Sequence, residues 1–172
     1  MNHIHPSSTP STPSDPAALK AVVDVLSKAR FATVTTADAD GSLLSRPMAL
    51  LDKEFDGNLY FFTQDPSDKT AQVRAESHVN VAAEGGGNYV SIAGHASISK
   101  DPALIDELWN RHAEAWFDQG REDPSVALLV VDADSAEVWT TENLKVVAAV
   151  KYAKAILTGG QPDVGDSARV EL

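Results

Sequence analysis

The chain has 172 residues, 43% hydrophobic and 23% charged, a balance that predicts one ordinary globular domain with a real core. Its net charge of −11 disfavours nucleic acid and anionic membrane as partners, while leaving room for a phosphate held by a few local cations. Cysteine is absent, which removes disulfides and thiolate chemistry, and neither a membrane-span-sized apolar run nor a secretory signal is seen, so a cytoplasmic location is expected.

Residues 1–15 are rich in Ser, Thr and Pro and read as a disordered lead. A single domain is expected over 16–172. It opens with Ser14-Asp15-Pro16, a capping residue and then proline at the first helical position. Leu19, Val22, Val23 and Leu26 follow at amphipathic helical spacing.

Strands are predicted over 31–36, 42–52 and 58–63, separated by turns at 38–41 and 54–57. A short helix over 66–76 precedes a strand over 79–84. Gly85-Gly86-Gly87-Asn88 turns the chain into a long strand over 89–99. A helix over 102–118 carries Ile105, Leu108, Trp109, His112 and Trp116 on one stripe, which makes His112 a packing residue. Strands over 126–131 and 136–141 and a helix over 143–157 complete the chain. The expected fold is mainly β with α: an antiparallel, six- to seven-stranded split β-barrel with packed helices.

Arg46 interrupts an otherwise apolar strand, and Thr63 ends an aromatic run just before a helix that opens with Ser67 and Lys69. If these two strands pair through the 54–57 turn, a guanidinium, a hydroxyl, an ammonium and free N–H groups surround one point. That is a workable phosphate site. A plainer reading makes Arg46 an edge-strand residue with its head in solvent and Lys69 an ordinary surface lysine. Spacing alone leans to the plainer one, because short cation–hydroxyl clusters are common.

The order Arg46-Pro47-Met48, Phe61-Phe62-Thr63 and Ser67-Asp68-Lys69 resembles the pyridoxamine 5′-phosphate oxidase-like flavin-binding split barrels, in particular their general stress protein branch. Ser91 to Ala96, Asp101, Leu108-Trp109, Trp116-Phe117, Gly120, Asp123-Pro124, Val138-Trp139 and Thr158-Gly159 extend the likeness over essentially all of 16–172. The resemblance implies FMN, rather than FAD or a deazaflavin, bound between the subunits of a homodimer. It implies that Arg46, Ser67 and Lys69 hold the flavin phosphate. Met48 and Phe61, Phe62 and Thr63 would border the ring, next to Pro47, and Trp116 and Trp139 would approach it, although a tryptophan is more often core.

The departures narrow this. Where the oxidases proper have a lysine closing the first phosphate strand, Leu51 stands near that place. Their Ser-Arg-Lys is Ser67-Asp68-Lys69 here, and their C-terminal Arg-Leu-His is replaced by Arg169-Val170-Glu171-Leu172. Many relatives in the stress branch have Gly-Arg-Ala where this chain has Gly94-His95-Ala96. The oxidase activity itself is therefore not expected. What remains is a flavin-dependent oxidoreductase with an unknown small-molecule redox partner, a non-catalytic flavin-sequestering protein, or a barrel binding deazaflavin, haem or nothing. No metal site is expected: the five histidines lie far apart in sequence, and His3 with His5 is half a site.

Overall fold

The computed structural model describes residues 16–140 and 166–172. The expected N-terminal lead and the expected helix over 143–157 lie outside them. Helix α1 (Pro16–Lys28) begins at the proline, where a missing N–H removes no helical hydrogen bond. It buries Ala18, Val22, Val25 and Leu26 along one stripe.

Seven antiparallel strands are present among the described residues: β1 (Phe31–Ala37), β2 (Leu43–Ala49), β3 (Asn58–Gln64), β4 (His78–Gly85), β5 (Asn88–Ser99), β6 (Val126–Thr140) and β7 (Asp166–Glu171). Helix α2 (Asp68–Ala75) lies between β3 and β4, and α3 (Pro102–Leu108) and α4 (Arg111–Glu114) between β5 and β6. The sheet runs β2-β1-β4-β5-β6-β3, with β7 also on β6. Along one edge of β6, β3 pairs with residues 126–132 and β7 with 135–140, while β5 covers the other edge. The end strands of the curl meet where the Leu51 N–H donates to the Tyr60 carbonyl at 3.3 Å. The result is the split barrel expected from the sequence.

Alternation sorts the side chains into two cores. Leu59 and Phe61 of β3 face inward with Val34, Val81, Ile92, Leu129 and the α1 stripe. Tyr60 and Phe62 face the other way, under Ile105, Leu108 and Phe117. Gly85 lets α1 come close to β4, because a Cβ there would collide with the Val25 carbonyl. Gly86 and Gly87, both at positive φ, supply the two central residues of the β4–β5 hairpin.

Four expectations need correction. First, β2 and β3 do not pair through 54–57: β2 takes β1 as its partner across the tight Asp38–Gly41 turn, and the Leu50 N–H bonds back to Arg30. Second, the strands over 126–131 and 136–141 are one strand. Asp132 and Asp134 look outward while Ala133 and Ser135 are buried, so a polar run that reads as a turn is really a period-2 alternation. Third, the helix over 102–118 breaks at Trp109-Asn110, where the Asn110 side chain caps a new helix by accepting from His112 and Ala113 N–H groups. The break rotates the stripe, so Ala113 and Phe117 are buried while His112 and Trp116 are exposed. Fourth, β7 was not expected. Among the described residues, no helix is long and apolar enough to cross a membrane.

Candidate functional site

Arg46 sits opposite Val34 in the β1–β2 ladder and therefore shares its inward side. At this end of the barrel the interior is polar. Arg46 Nη1 donates to Thr36 Oγ1 at 2.9 Å and Nη2 to Gln72 Oε1 at 3.1 Å. Thr36 Oγ1 in turn donates to Gln72 Oε1 at 2.8 Å. Thr36 and Gln72 are both buried, so the guanidinium is held by two uncharged groups that do not neutralise it. This rules out the reading of Arg46 as a free edge-strand residue.

Helix α2 brings the second cation. Its N-cap is Ser67, whose Oγ accepts from the Thr70 N–H at 3.3 Å, while Thr70 Oγ1 accepts from the Ser67 N–H at 3.0 Å. This reciprocal cap fixes the first turn. It leaves the Ser67 hydroxyl hydrogen with one long contact, to Thr70 Oγ1 at 3.4 Å. Lys69 lies in that turn, half-buried. Burial, and then the nearby Arg46 guanidinium, pull its ammonium pKa below the ordinary value. Among the described residues neither Arg46 nor Lys69 belongs to an ion pair. Arg46 bonds to Gln72 in the body of α2 and Lys69 lies in its first turn, so two like charges gather beside this helix with no carboxylate among the described residues paired to either.

That frustration gives a first prediction. The charged form of Lys69 is disfavoured in the folded state, so its charge costs stability at neutral pH when no anion is bound. Lys69→Gln should raise the melting temperature of ligand-free protein by roughly 2–4 °C while weakening anion binding, a trade of stability against function. Thermal melts with and without added phosphate check both halves.

The placement of α2 is itself secured by charge. Asp65, buried between β3 and α2, takes two bonds from Arg74, Nη1 to Oδ1 at 2.7 Å and Nη2 to Oδ2 at 2.9 Å. Lys100 Nζ stands 3.4 Å from Oδ2 and donates to the Asp65 carbonyl at 3.3 Å. The Arg74 bonds, with help from Thr70 and Lys100 and against the pull of burial, hold the Asp65 carboxyl well below its ordinary value of 3.8. A depressed carboxylate contributes stability that is complete above its unfolded pKa and is lost as pH falls through the folded one. Asp65→Asn should therefore lower the melting temperature at neutral pH. The gap to the unsubstituted protein should stay constant down to about pH 4 and close below it. A gap independent of pH down to strongly acidic solution would mean that the pair contributes nothing through charge.

A second feature lies on the outer face of the sheet. A groove of about 710 Å³ is lined by Phe31, Thr33, Pro47, Tyr89, Ser91 and Trp139, with Lys28 and Arg30 at its edge. Pro47 is the link, since it follows Arg46 in β2 and points to the opposite side.

The 17–163 segment matches the model of the family described as Pyridoxamine 5'-phosphate oxidase like. The chain belongs to that family. It is 33% identical over 142 residues to protein bli-3 of Neurospora crassa, covering 76% of this chain and 68% of the relative. It is 29% identical to general stress protein 26 of Bacillus subtilis, over 66% of this chain and 81% of that one. Among solved structures it resembles the general stress FMN/FAD binding protein of Xanthomonas citri, at 30% identity and a TM-score of 0.64, covering 74% of this chain and 91% of that one.

As a Pyridoxamine 5'-phosphate oxidase like chain, it places the sequence-predicted residues unevenly. Ser67 and Lys69 stand at the start of α2, and Arg46, bonded to Gln72 farther along that helix, is near enough to Lys69 to repel its charge. Met48 is buried on the inward side of β2, and Thr63 is buried at the end of β3. Phe61 is wholly enclosed in the inner core, while Phe62 meets Trp109 edge-on at 5.3 Å and Phe117 at 6.3 Å on the outer side. The two tryptophans are separated: Trp139 lines the outer groove, whereas Trp116 is 77% exposed, its carbonyl accepting a 3.5 Å bond from Gln64. Sequence reading missed Thr36, Gln72, Asp65 and Arg74. A Gln on a short helix and a Thr in a strand carry no spacing signal. The Asp65–Arg74 pair spans the helix cap and becomes visible only once α2 is folded.

Proposed function

We propose that the chain binds FMN through a phosphate site at Arg46, Ser67 and Lys69 and works as a flavin-dependent oxidoreductase. The observation that supports it best is the gathering of Arg46 and Lys69 beside α2 with no carboxylate among the described residues paired to either. The donor set suits a phosphate monoester: a planar guanidinium, an ammonium, a hydroxyl and backbone N–H groups. Bound flavin would supply hydride transfer between a reduced donor, such as a nicotinamide, and an acceptor. The chain's own part is to hold the phosphate and to limit access to the ring. Family membership and the relative described as FMN/FAD binding support the same ligand class.

The reading includes a homodimer with flavin at its interface. Phe31, Tyr89 and Trp139 leave an aromatic surface on the outer face, beside the strand that carries Arg46. Aromatic side chains of this kind are enriched where subunits meet. A flavin-holding protein without turnover is favoured by one feature: the two side chains bonded to Arg46, Thr36 and Gln72, are uncharged and exchange no proton near neutral pH, which leaves Lys69 as the titratable group beside it.

The test is titration of flavin-free full-length protein with FMN, followed by reduction with a nicotinamide donor. One FMN per subunit, reduced and reoxidised faster than free FMN, supports the enzyme. Stoichiometric binding without faster turnover leaves the holding role. Failure to take up FMN refutes both.

A further inference from the structure

His78 and His95 are far apart in sequence but are register partners across β4 and β5. Their Nε2 atoms stand 3.1 Å apart, with ring centroids at 4.3 Å. Each ring is anchored from behind by a carboxylate. His78 Nδ1 meets Glu76 Oε1 at 2.6 Å, and His95 Nδ1 meets Asp134 Oδ2 at 2.9 Å. Glu76 Oε1 is itself fixed, because it also accepts the His78 backbone N–H at 2.9 Å.

This arrangement has a consequence for the protons. A carboxylate accepts, so each Nδ1 carries the hydrogen and each neutral ring presents a lone pair at Nε2. Two lone pairs then stand 3.1 Å apart and repel, and a metal ion bound by both would remove the conflict. For bonds of about 2.05 Å, a separation of 3.1 Å subtends an angle of roughly 98° at a shared ion, between square and tetrahedral geometry.

We propose that His78 and His95 form a two-histidine site for a borderline divalent transition-metal ion of the Zn²⁺ class. Glu76 and Asp134 orient the rings, the outer-shell role that carboxylates play behind metal-bound imidazoles. Imidazole nitrogens favour Zn²⁺, Cu²⁺ or Ni²⁺ over Mg²⁺ or Ca²⁺, which want oxygen ligands. Both rings are exposed, their side chains 72% and 47% accessible, so an ion has a path in and water fills its other positions. Among the described residues no group of three ligand side chains forms, so the protein would supply two of the ion's ligands. The surroundings are acidic: Asp132, exposed, is the β6 partner of His95.

The local backbone serves the same geometry. The β5–β6 register shifts between Ala93 and Gly94, and a Cβ on Gly94 would collide with the Asp132 carbonyl. The extra residue is Asp134 of β6, since Ala93 pairs with Ser135 and Gly94 with Ala133, and a bulge re-aims that side chain, here the carboxylate that reaches His95. The expectation of no metal site rested on sequence distance, which strand pairing cancels.

The test is calorimetric titration of chelator-stripped full-length protein with ZnCl₂, beside the variants His78→Gln, His95→Gln, Glu76→Gln and Asp134→Asn. One Zn²⁺ per chain should bind in the tightest phase. Either histidine variant should weaken that phase by more than about a hundredfold, and either carboxylate variant by about tenfold. All four positions are exposed, so unchanged melting temperatures should certify the fold. His3 and His5 are present in every variant, so uptake through them cancels from the comparison. In ¹⁵N-edited spectra Zn²⁺ should shift Nε2 of His78 and His95 while leaving Nδ1 protonated. No uptake, uptake indifferent to both histidine variants, or shifts confined to His112 would overturn the proposal.

Discussion

Arg46→Ala should weaken FMN roughly ten- to a hundredfold while changing riboflavin affinity by no more than about twofold. A guanidinium has five N–H donors, and Thr36 and Gln72 take two of them, leaving others for a phosphate. Because those two partners are buried and bonded to each other, the group is already oriented before any ligand arrives. Little conformational entropy is then lost on binding, and the charge-assisted contact is worth about 1.5–3 kcal/mol. Riboflavin has the same ring without the phosphate, so it serves as the internal control. Truncation leaves the Thr36–Gln72 bond in place, which should keep the barrel folded. Arg46→Lys should recover only part of the loss, since an ammonium cannot bridge both anchors in one plane. Fluorescence titration of both flavins gives the result directly. Equal losses for FMN and riboflavin would make Arg46 a structural residue.

The elements that were legible in the sequence are those whose signal is local. The proline and apolar stripe of α1, the Gly86-Gly87 hairpin, the apolar run of β3 and the alternation of β1 and β4 each declare themselves within a few residues. The errors have one physical origin, which is that long-range pairing decides what a local pattern means. Residues 132–135 carry turn chemistry, yet β5 pairs with Asp132, Ala133 and Ser135 and absorbs Asp134 as a bulge, which keeps the segment extended. The stripe from Ile105 to Trp116 keeps helical spacing, yet Asn110 offers a better cap than an interior residue and divides it. Arg46 and Lys69 were found through motif order, although the route by which they meet was wrong. Helix α2, fixed by its own cap and by Asp65, brings Lys69 to Arg46 without any pairing of β2 with β3. The buried polar partners Thr36 and Gln72, and the facing histidines, had no local signature at all.

Phe61 and Phe62 show how far a motif can be trusted residue by residue, and substitution separates them. Both stand in the aromatic run expected beside the flavin, but alternation sends them to different cores. Phe61 is 0% exposed among Val34, Val81, Ile92 and Leu129, so Phe61→Ala should leave a cavity and cost about 3–5 kcal/mol. For a chain of this size that corresponds to a melting temperature lower by roughly 6–20 °C. FMN affinity of the molecules that remain folded should change by less than about threefold, because the removed ring touches only core. Phe62→Ala removes two edge-to-face contacts, each worth about 0.5–1.5 kcal/mol beyond the lost area, and should destabilise less. Melting curves and flavin titrations at a temperature well below both transitions check the pair. If Phe61→Ala instead melts normally and fails to bind flavin, the ring must leave the core when ligand enters. The inner side of β3 would then be part of the binding cavity, and the barrel would have to open to admit its cofactor.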